Sequence, residues 1–213
     1  MNQNISSIRK DYTLQQLSEQ ETESSPIDQF KKWWNQAIES QIEEVNAMTL
    51  ATANKEGKPS ARIVLLKDFN ESGFVFFTNY QSKKGNDLEI NPQGALVFFW
   101  KELERQIRIE GLIQKIDEKE STDYFLSRPT DSQIAAWASN QSAIINSRDA
   151  LEDSFKSYQS IFEHKAITRP NHWGGYRLCP NTIEFWQGRS NRMHDRIQYN
   201  KIENQWGKVR LAP

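Results

Sequence analysis

Thirteen residues, EFWQGRSNRMHDR (184–196), hold the densest set of chemically capable side chains in this chain. Trp186 precedes a Gln-Gly turn; Arg189, Arg192 and Arg196 follow, with Met193 and His194 between the last two arginines. Fixed guanidinium groups and an imidazole beside an indole suit an anionic, planar ligand. Guanidinium grips phosphate or carboxylate through a rigid fork, and imidazole gains or loses a proton near neutrality. A solvated hairpin loop is the plain alternative, because short charged loops are common.

Other segments carry the same chemistry. Lys83 and Lys84 fall in the first turn of a predicted helix, SKKGNDLEINP (82–92), behind the capping residue Ser82. Cations there oppose the helix dipole unless an anion binds nearby; two exposed lysines at a strand exit are the alternative. Tyr124, Arg128 and Ser132 recur at four-residue spacing across a helix that Pro129 must interrupt. They place three phosphate-capable side chains at a break, although ordinary polarity of a helix surface accounts for the spacing equally well. Gln106 opens the polar face of an alternating strand, and Gln141 and Ser142 lie in a polar loop. Arg9, Lys10, Asp11 and Tyr12 put two cations beside an aromatic within a polar leader, for which a solvated tail is the simpler account.

The elements that must position these residues follow from periodicity. Residues 1–25 read as a flexible arm and residues 26–213 as a single domain. Ser25-Pro26 starts a helix whose apolar stripe, Ile27, Phe30, Trp34, Ile38, Ile42 and Val45, predicts that it runs to about residue 45. Short strands with polar turns follow at 48–53, 60–69 and 74–79. In the second, Ile63 to Leu66 is an unbroken apolar run, which predicts burial on both faces. Strands at 95–100 and 105–116 form a hairpin pair, residues 117–165 are mostly helical, and β pattern returns at 173–179, 181–187, 195–200 and 205–213. Strands on both sides of a helical insert predict a closed barrel whose last strands complete the first.

Composition excludes several classes. With 27 basic and 28 acidic residues the formal net charge is −1, which argues against a general nucleic-acid binder. One cysteine, Cys179, permits no internal disulfide and no sulfur-based zinc site, and the three histidines are scattered, so no metal is expected. The N-terminus lacks the apolar core of a signal peptide, and no apolar run reaches membrane-spanning length. A cytoplasmic protein without membrane partners is expected.

RIVLLK (62–67), FFTN with SKK (76–84), LERQIRIEG (103–111), YFLSRPTDSQIAAW (124–137), NQS (140–142) and EFWQGRSNRMHDR (184–196) occur in this order. Together with the terminal RLAP they resemble the pyridoxamine 5′-phosphate oxidase family over roughly residues 44–213. Six separated blocks are far more specific than any lone motif. The resemblance implies an α+β fold: an FMN-binding split β-barrel, antiparallel and Greek-key-like, with surrounding helices, working as a homodimer. It implies oxidation of pyridoxamine 5′-phosphate or pyridoxine 5′-phosphate to pyridoxal 5′-phosphate, with dioxygen as electron acceptor and hydrogen peroxide as product. A non-catalytic flavin-binding split-barrel protein is the alternative, and it could dispense with Arg128, Ser132, Arg192 and His194.

Position by position, the resemblance implies flavin contacts from Arg62, Ile63, Val64, Leu65, Leu66 and Lys67, and from Phe77 and Thr78. Lys83, Lys84, Gln106, Gln141, Ser142, Trp186 and Arg196 complete that set. For the substrate it implies a phosphate clamp of Lys67, Tyr124, Arg128 and Ser132, with Arg192, Met193 and His194 at the ring and Arg9 and Tyr12 in a closing segment. Arg192 and His194 are the implied catalytic pair. The chain departs from the commoner family pattern at Phe77 (often tyrosine), at Lys83 (often arginine) and at Val45-Asn46 (often Asp-Pro).

Overall fold

A computed structural model describes residues 4–8, 10–203 and 205–213; Arg9, grouped above with Tyr12, lies outside these residues. The first helix, α1 (Pro26–Glu39), starts as its sequence demands, with the Ser25 hydroxyl accepting from the Ile27 and Asp28 amides. It stops well short of residue 45. Gln41 turns left-handed at φ 54° and its N–H donates to Ile38 O (2.9 Å), while Ile42 N–H donates to Ala37 O (3.3 Å). That pair of bonds is a Schellman stop, here without the usual glycine, so the apolar spacing of Ile42 and Val45 continues past the real end. The buried stripe is Ile27, Phe30, Trp33 and Ala37; Ile38 is 51% exposed.

The strands are β1 (Ala47–Ala53), β2 (Pro59–Leu65), β3 (Asp68–Asn70), β4 (Gly73–Asn79), β5 (Gln93–Trp100), β6 (Arg105–Lys115), β7 (Trp173–Gln187), β8 (Asp195–Ile202) and β9 (Gln205–Arg210). The remaining helices are α2 (Lys83–Ile90), α3 (Glu118–Ser127), α4 (Thr130–Ala138) and α5 (Arg148–Phe162). Hydrogen bonding gives the order β2-β1-β5-β6-β7-β4-β3, with β8 on β7 and β9 on β8.

Four expectations about the strands need correction. The strand foreseen at 60–69 is two, because the chain bends at Leu66–Lys67, where Lys67 N–H donates to Val75 O (2.9 Å). Burial of β2 on both faces fails: Ile63 is 65% and Leu65 37% exposed, and β2 ends the strand order with β1 as its neighbour. The last strands do not close a barrel against the first. Instead β7 lies between β6 and β4, and β8 and β9 extend from it. The two strands foreseen at 173–179 and 181–187 are one. Its first half pairs with β4 and its second with β8, and Pro180, which has no N–H to give, falls where the partner changes.

The chain divides into two compact units. One comprises Met1–Thr49, Ala95–Glu110 and Pro180–Pro213. Its core is aromatic: Phe30 packs on Phe98 (5.3 Å between centroids), Trp33 edge-on to Phe185 (5.2 Å), and Phe185 on Tyr199 (5.7 Å). The other comprises Leu50–Gly94 and Gly111–Cys179, with Phe76 against Tyr176 (5.7 Å) and Phe125 against Trp173 (5.3 Å). Each such side chain contributes about 1.5–3 kcal/mol on burial. Among the described residues no helix is long and apolar enough to cross a membrane.

Candidate functional site

In the second unit a cleft of about 820 Å³ collects Arg62, Ile63, Val64, Leu65 and Lys67 from β2 and its exit, Phe77 and Thr78 from β4, and Lys84 from α2. Tyr124, Arg128, Ser132 and Gln141 complete the wall on the helical side. Among the described residues its lining has four cations, Arg62, Lys67, Lys84 and Arg128, and no carboxylate. Leu66, grouped with its neighbours in the sequence, is 4% exposed and is not part of this lining.

Lys84 is 8% exposed, yet its ammonium donates only to neutral oxygens: Gln141 Oε1 (2.7 Å), Thr78 Oγ1 (3.1 Å) and Ser82 Oγ (3.1 Å). Burial, and then the Arg62 charge, push it down to about 8. A buried cation without a counter-charge favours binding of an anion. Arg62, half-buried, likewise donates to neutral oxygens, Leu50 O (3.2 Å), Thr52 Oγ1 (2.8 Å) and Ser60 Oγ (2.8 Å), with burial lowering its pKa and Asp87 partly opposing that. Lys83 differs, because its Nζ pairs with Asp87 (3.2 Å) one turn on, which compensates the helix dipole locally. Lys83 and Ser142 line an adjoining hollow of about 600 Å³ with Asn86, Asn140 and Gln141. The α2 start is built tightly: Ser82 caps Gly85 N–H (3.3 Å), and a Cβ on Gly85 would stand 1.9 Å from Tyr80 O.

At the break between α3 and α4, Arg128 ends one helix and Pro129 caps the next. The Arg128 guanidinium lies 4.6 Å over the Trp173 ring, and its Nη1 is buried without a hydrogen-bond partner among the described residues. A buried donor left unpaired costs about 1–3 kcal/mol, which an incoming anionic oxygen removes. Phe77, Tyr124 and Trp173 lie nearly parallel and mutually close (3.9 Å between Phe77 and Tyr124, 5.4 Å between Phe77 and Trp173, 6.2 Å between Tyr124 and Trp173), so the wall beside Arg128 is an aromatic cluster. Sequence reasoning missed Trp173 and Asn79 in this lining, since neither has a spacing relation to the clustered cations.

The first unit holds the second group. Trp186 and His194 face each other at 4.6 Å, and the Tyr12 ring packs edge-on to both, at 5.7 and 5.9 Å. Arg189 N–H donates to His194 Nδ1 (3.1 Å). A backbone amide can only donate, so Nδ1 is the bare nitrogen and the ring proton sits on Nε2. Arg192 is exposed, enters none of the ion pairs among the described residues, and takes φ 60° directly after Asn191 at φ 55°. Met193 beside it is 67% exposed. Arg196 is committed: Glu184, 3% exposed, accepts from its Nε (2.7 Å) and Nη2 (3.1 Å) and from Arg108 (3.1 Å), and the bond to Glu184 raises the Arg196 pKa. Gln106 is half-buried on the polar face of β6.

Of the seven left-handed non-glycine residues among those described, four (Glu104, Ser142, Asn191 and Arg192) lie in or beside these groups. Backbone strain concentrates where side chains must be held for a task. No cluster of His, Cys, Asp and Glu among the described residues is arranged to hold a metal ion.

The pyridoxamine 5′-phosphate oxidase family model matches residues 34–162, and the model of the pyridoxine 5′-phosphate oxidase C-terminal dimerisation region matches residues 173–213. A pyridoxine/pyridoxamine 5′-phosphate oxidase of Trichormus variabilis is 55% identical over 100% of both chains. One of Polynucleobacter asymbioticus is 54% identical over 98% of this chain and 99% of its own. Among solved structures, PhzG of Burkholderia lata, in complex with tetrahydrophenazine-1-carboxylic acid, superposes with a TM-score of 0.88 at 29% identity, covering 94% of this chain and 100% of that one. A pyridoxamine 5′-phosphate oxidase-related, FMN binding protein of Nostoc punctiforme shares the fold (TM-score 0.68, 16% identity, 90% of this chain and 100% of that one). The fold is of the α+β, antiparallel split-barrel class. Within that class the chain belongs to the pyridoxamine 5′-phosphate oxidase family.

Proposed function

We propose that the protein oxidises pyridoxamine 5′-phosphate and pyridoxine 5′-phosphate to pyridoxal 5′-phosphate with FMN as cofactor and dioxygen as electron acceptor. The amine substrate takes up water and releases ammonia; both substrates yield hydrogen peroxide. The carrying observation is the cleft lined, among the described residues, by four cations and no carboxylate in a chain whose net charge is −1. Two phosphorylated aromatic molecules require such a local excess of positive charge, and the buried Lys84 and the half-buried Arg128 are both short of anionic partners. Relatives of full length that are named pyridoxine/pyridoxamine 5′-phosphate oxidases support the substrate class.

Bound FMN supplies the hydride acceptor and the reaction with dioxygen, and the protein supplies placement and charge. We assign Arg62 and Lys84, steadied by Thr78 and Gln141, to the flavin phosphate, with Lys83 and Ser142 beside them. Ile63 to Lys67 and Phe77 contribute backbone and edge contacts, and Gln106, Trp186 and Arg196 complete the flavin set. Lys67, Tyr124, Arg128 and Ser132 hold the substrate phosphate. Arg192, Met193 and His194 hold the substrate ring, with Tyr12 covering them. Since His194 carries its proton on Nε2, it donates a hydrogen bond that polarises the pyridine rather than abstracting a proton. The matched dimerisation region supports a homodimer that binds flavin where subunits meet, and one cysteine in the chain fits a reducing cytoplasm.

An absorbance spectrum with a peroxide assay on both phosphorylated substrates tests the proposal. A yellow protein that forms peroxide and pyridoxal 5′-phosphate is expected. A yellow protein inert to both would instead be a flavin carrier, and one that cannot be loaded with FMN would refute the cofactor assignment.

A further inference from the structure

The N-terminal segment is fastened to the ring-bearing loop by a carboxylate that the proposed chemistry does not use. Glu104 is 2% exposed, and acidic side chains are rarely so buried unless paired. Its Oε2 accepts from two consecutive backbone amides, Thr13 (2.9 Å) and Leu14 (3.1 Å), and its Oε1 pairs with Lys10 (3.2 Å). These amides belong to a stretch with no helix or strand of its own, so nothing within the stretch satisfies them. From the other side, the Glu104 carbonyl accepts from Gly188 N–H (2.8 Å) and from Gln187 Nε2 (3.2 Å), at the root of the 188–194 loop. One residue thus grips the arm with its side chain and the loop with its backbone. It takes φ 55° to do so, a conformation natural to glycine and unfavourable for glutamate.

Tyr12 is what this grip delivers. Its ring rests on Gly188, where a Cβ would meet Tyr12 Cγ at 2.7 Å, and against Trp186 and His194 at 5.7 and 5.9 Å. A second fastening, Leu17 N–H to Asp195 Oδ2 (3.1 Å), holds the chain beyond it, with Leu17 only 5% exposed.

We infer that Glu104 is a positioning residue, a carboxylate latch whose bonds to the Thr13 and Leu14 amides hold Tyr12 over His194 and Trp186 and so set substrate affinity. The link to affinity rests on the proposed oxidase reading; the latch itself does not. Glu104→Gly removes the carboxylate while relieving the left-handed strain that Glu104→Ala would retain.

Hydrogen exchange by mass spectrometry on the FMN-loaded protein reads the latch directly. In Glu104→Gly, peptides covering residues 12–17 should exchange about tenfold faster or more, while those from β5 stay unchanged. The Michaelis constant for pyridoxamine 5′-phosphate should rise about fivefold or more at unchanged flavin content. Glu104→Gln, which keeps one acceptor oxygen, should fall between the variant and the parent in both readouts. Equal exchange in parent and Glu104→Gly overturns the latch, and faster exchange with an unmoved Michaelis constant overturns its part in substrate affinity. Should the parent not turn over this substrate, the oxidase reading falls on its own, and the exchange comparison still decides whether Glu104 holds the arm.

Discussion

Lys83 and Lys84 are adjacent in sequence and opposite in circumstance. Lys83 is paired with Asp87 (3.2 Å), whereas Lys84 is buried among neutral oxygens and held down at about 8. In the ligand-free protein the unfolded chain, with the ordinary lysine value of 10.5, binds more protons between those two values, so stability rises with pH across that window. A phosphate beside the ammonium reverses the depression. FMN binding at about pH 9 should therefore take up a proton that binding at about pH 6.5 does not, visible as a buffer-dependent calorimetric heat; identical heats in buffers of different ionisation enthalpy at the higher pH would exclude Lys84 from the phosphate. For Arg128→Ala, removal of one charge-assisted contact should raise the Michaelis constant about tenfold or more, on the order of 1.5–3 kcal/mol, with flavin retained; an unchanged value removes Arg128 from the clamp. The types and order of these residues were legible in the sequence. Which lysine is paired, and that Trp173 carries Arg128, depend on burial and long-range contact that no local spacing records.

At the scale of elements, alternation and capping placed β4, α2, β6 and the break at Pro129 where the structure has them, because each has a local cause. The end of α1 had none: Gln41 occupies the left-handed stop that glycine usually marks. Gln41→Gly should accordingly stabilise the protein by about 1 kcal/mol, read as a higher urea midpoint; an unchanged or lower midpoint would show that the stop carries no strain. Gly85 makes the opposite case, since a Cβ there would meet Tyr80 O at 1.9 Å. Gly85→Ala should shift the first turn of α2, and with it Lys84, weakening FMN binding about tenfold or more while thermal unfolding remains cooperative. Full flavin affinity in that variant would mean α2 does not position the phosphate site. The doubly apolar run in β2 predicts burial that the chain does not provide for a related reason: apolar spacing alone does not record whether a second layer lies on the strand.

For the whole molecule, the family and split-barrel class were legible from six ordered blocks, while the path of the last strands was not, because β7 changes partner at Pro180 without breaking. The exposed Ile63 and Leu65 and the matched dimerisation region lead to the expectation of twice the chain mass by light scattering, with flavin lost when the mass halves on dilution; a flavin-loaded monomer would contradict it. The proposed task of the cation-lined cleft is to hold a substrate by its phosphate where bound FMN would oxidise it. Anaerobic mixing of the FMN-loaded protein with pyridoxamine 5′-phosphate reads that event alone. The visible flavin band should bleach with the phosphorylated amine and hardly at all with pyridoxamine, and a band that persists with the phosphorylated amine would contradict the account.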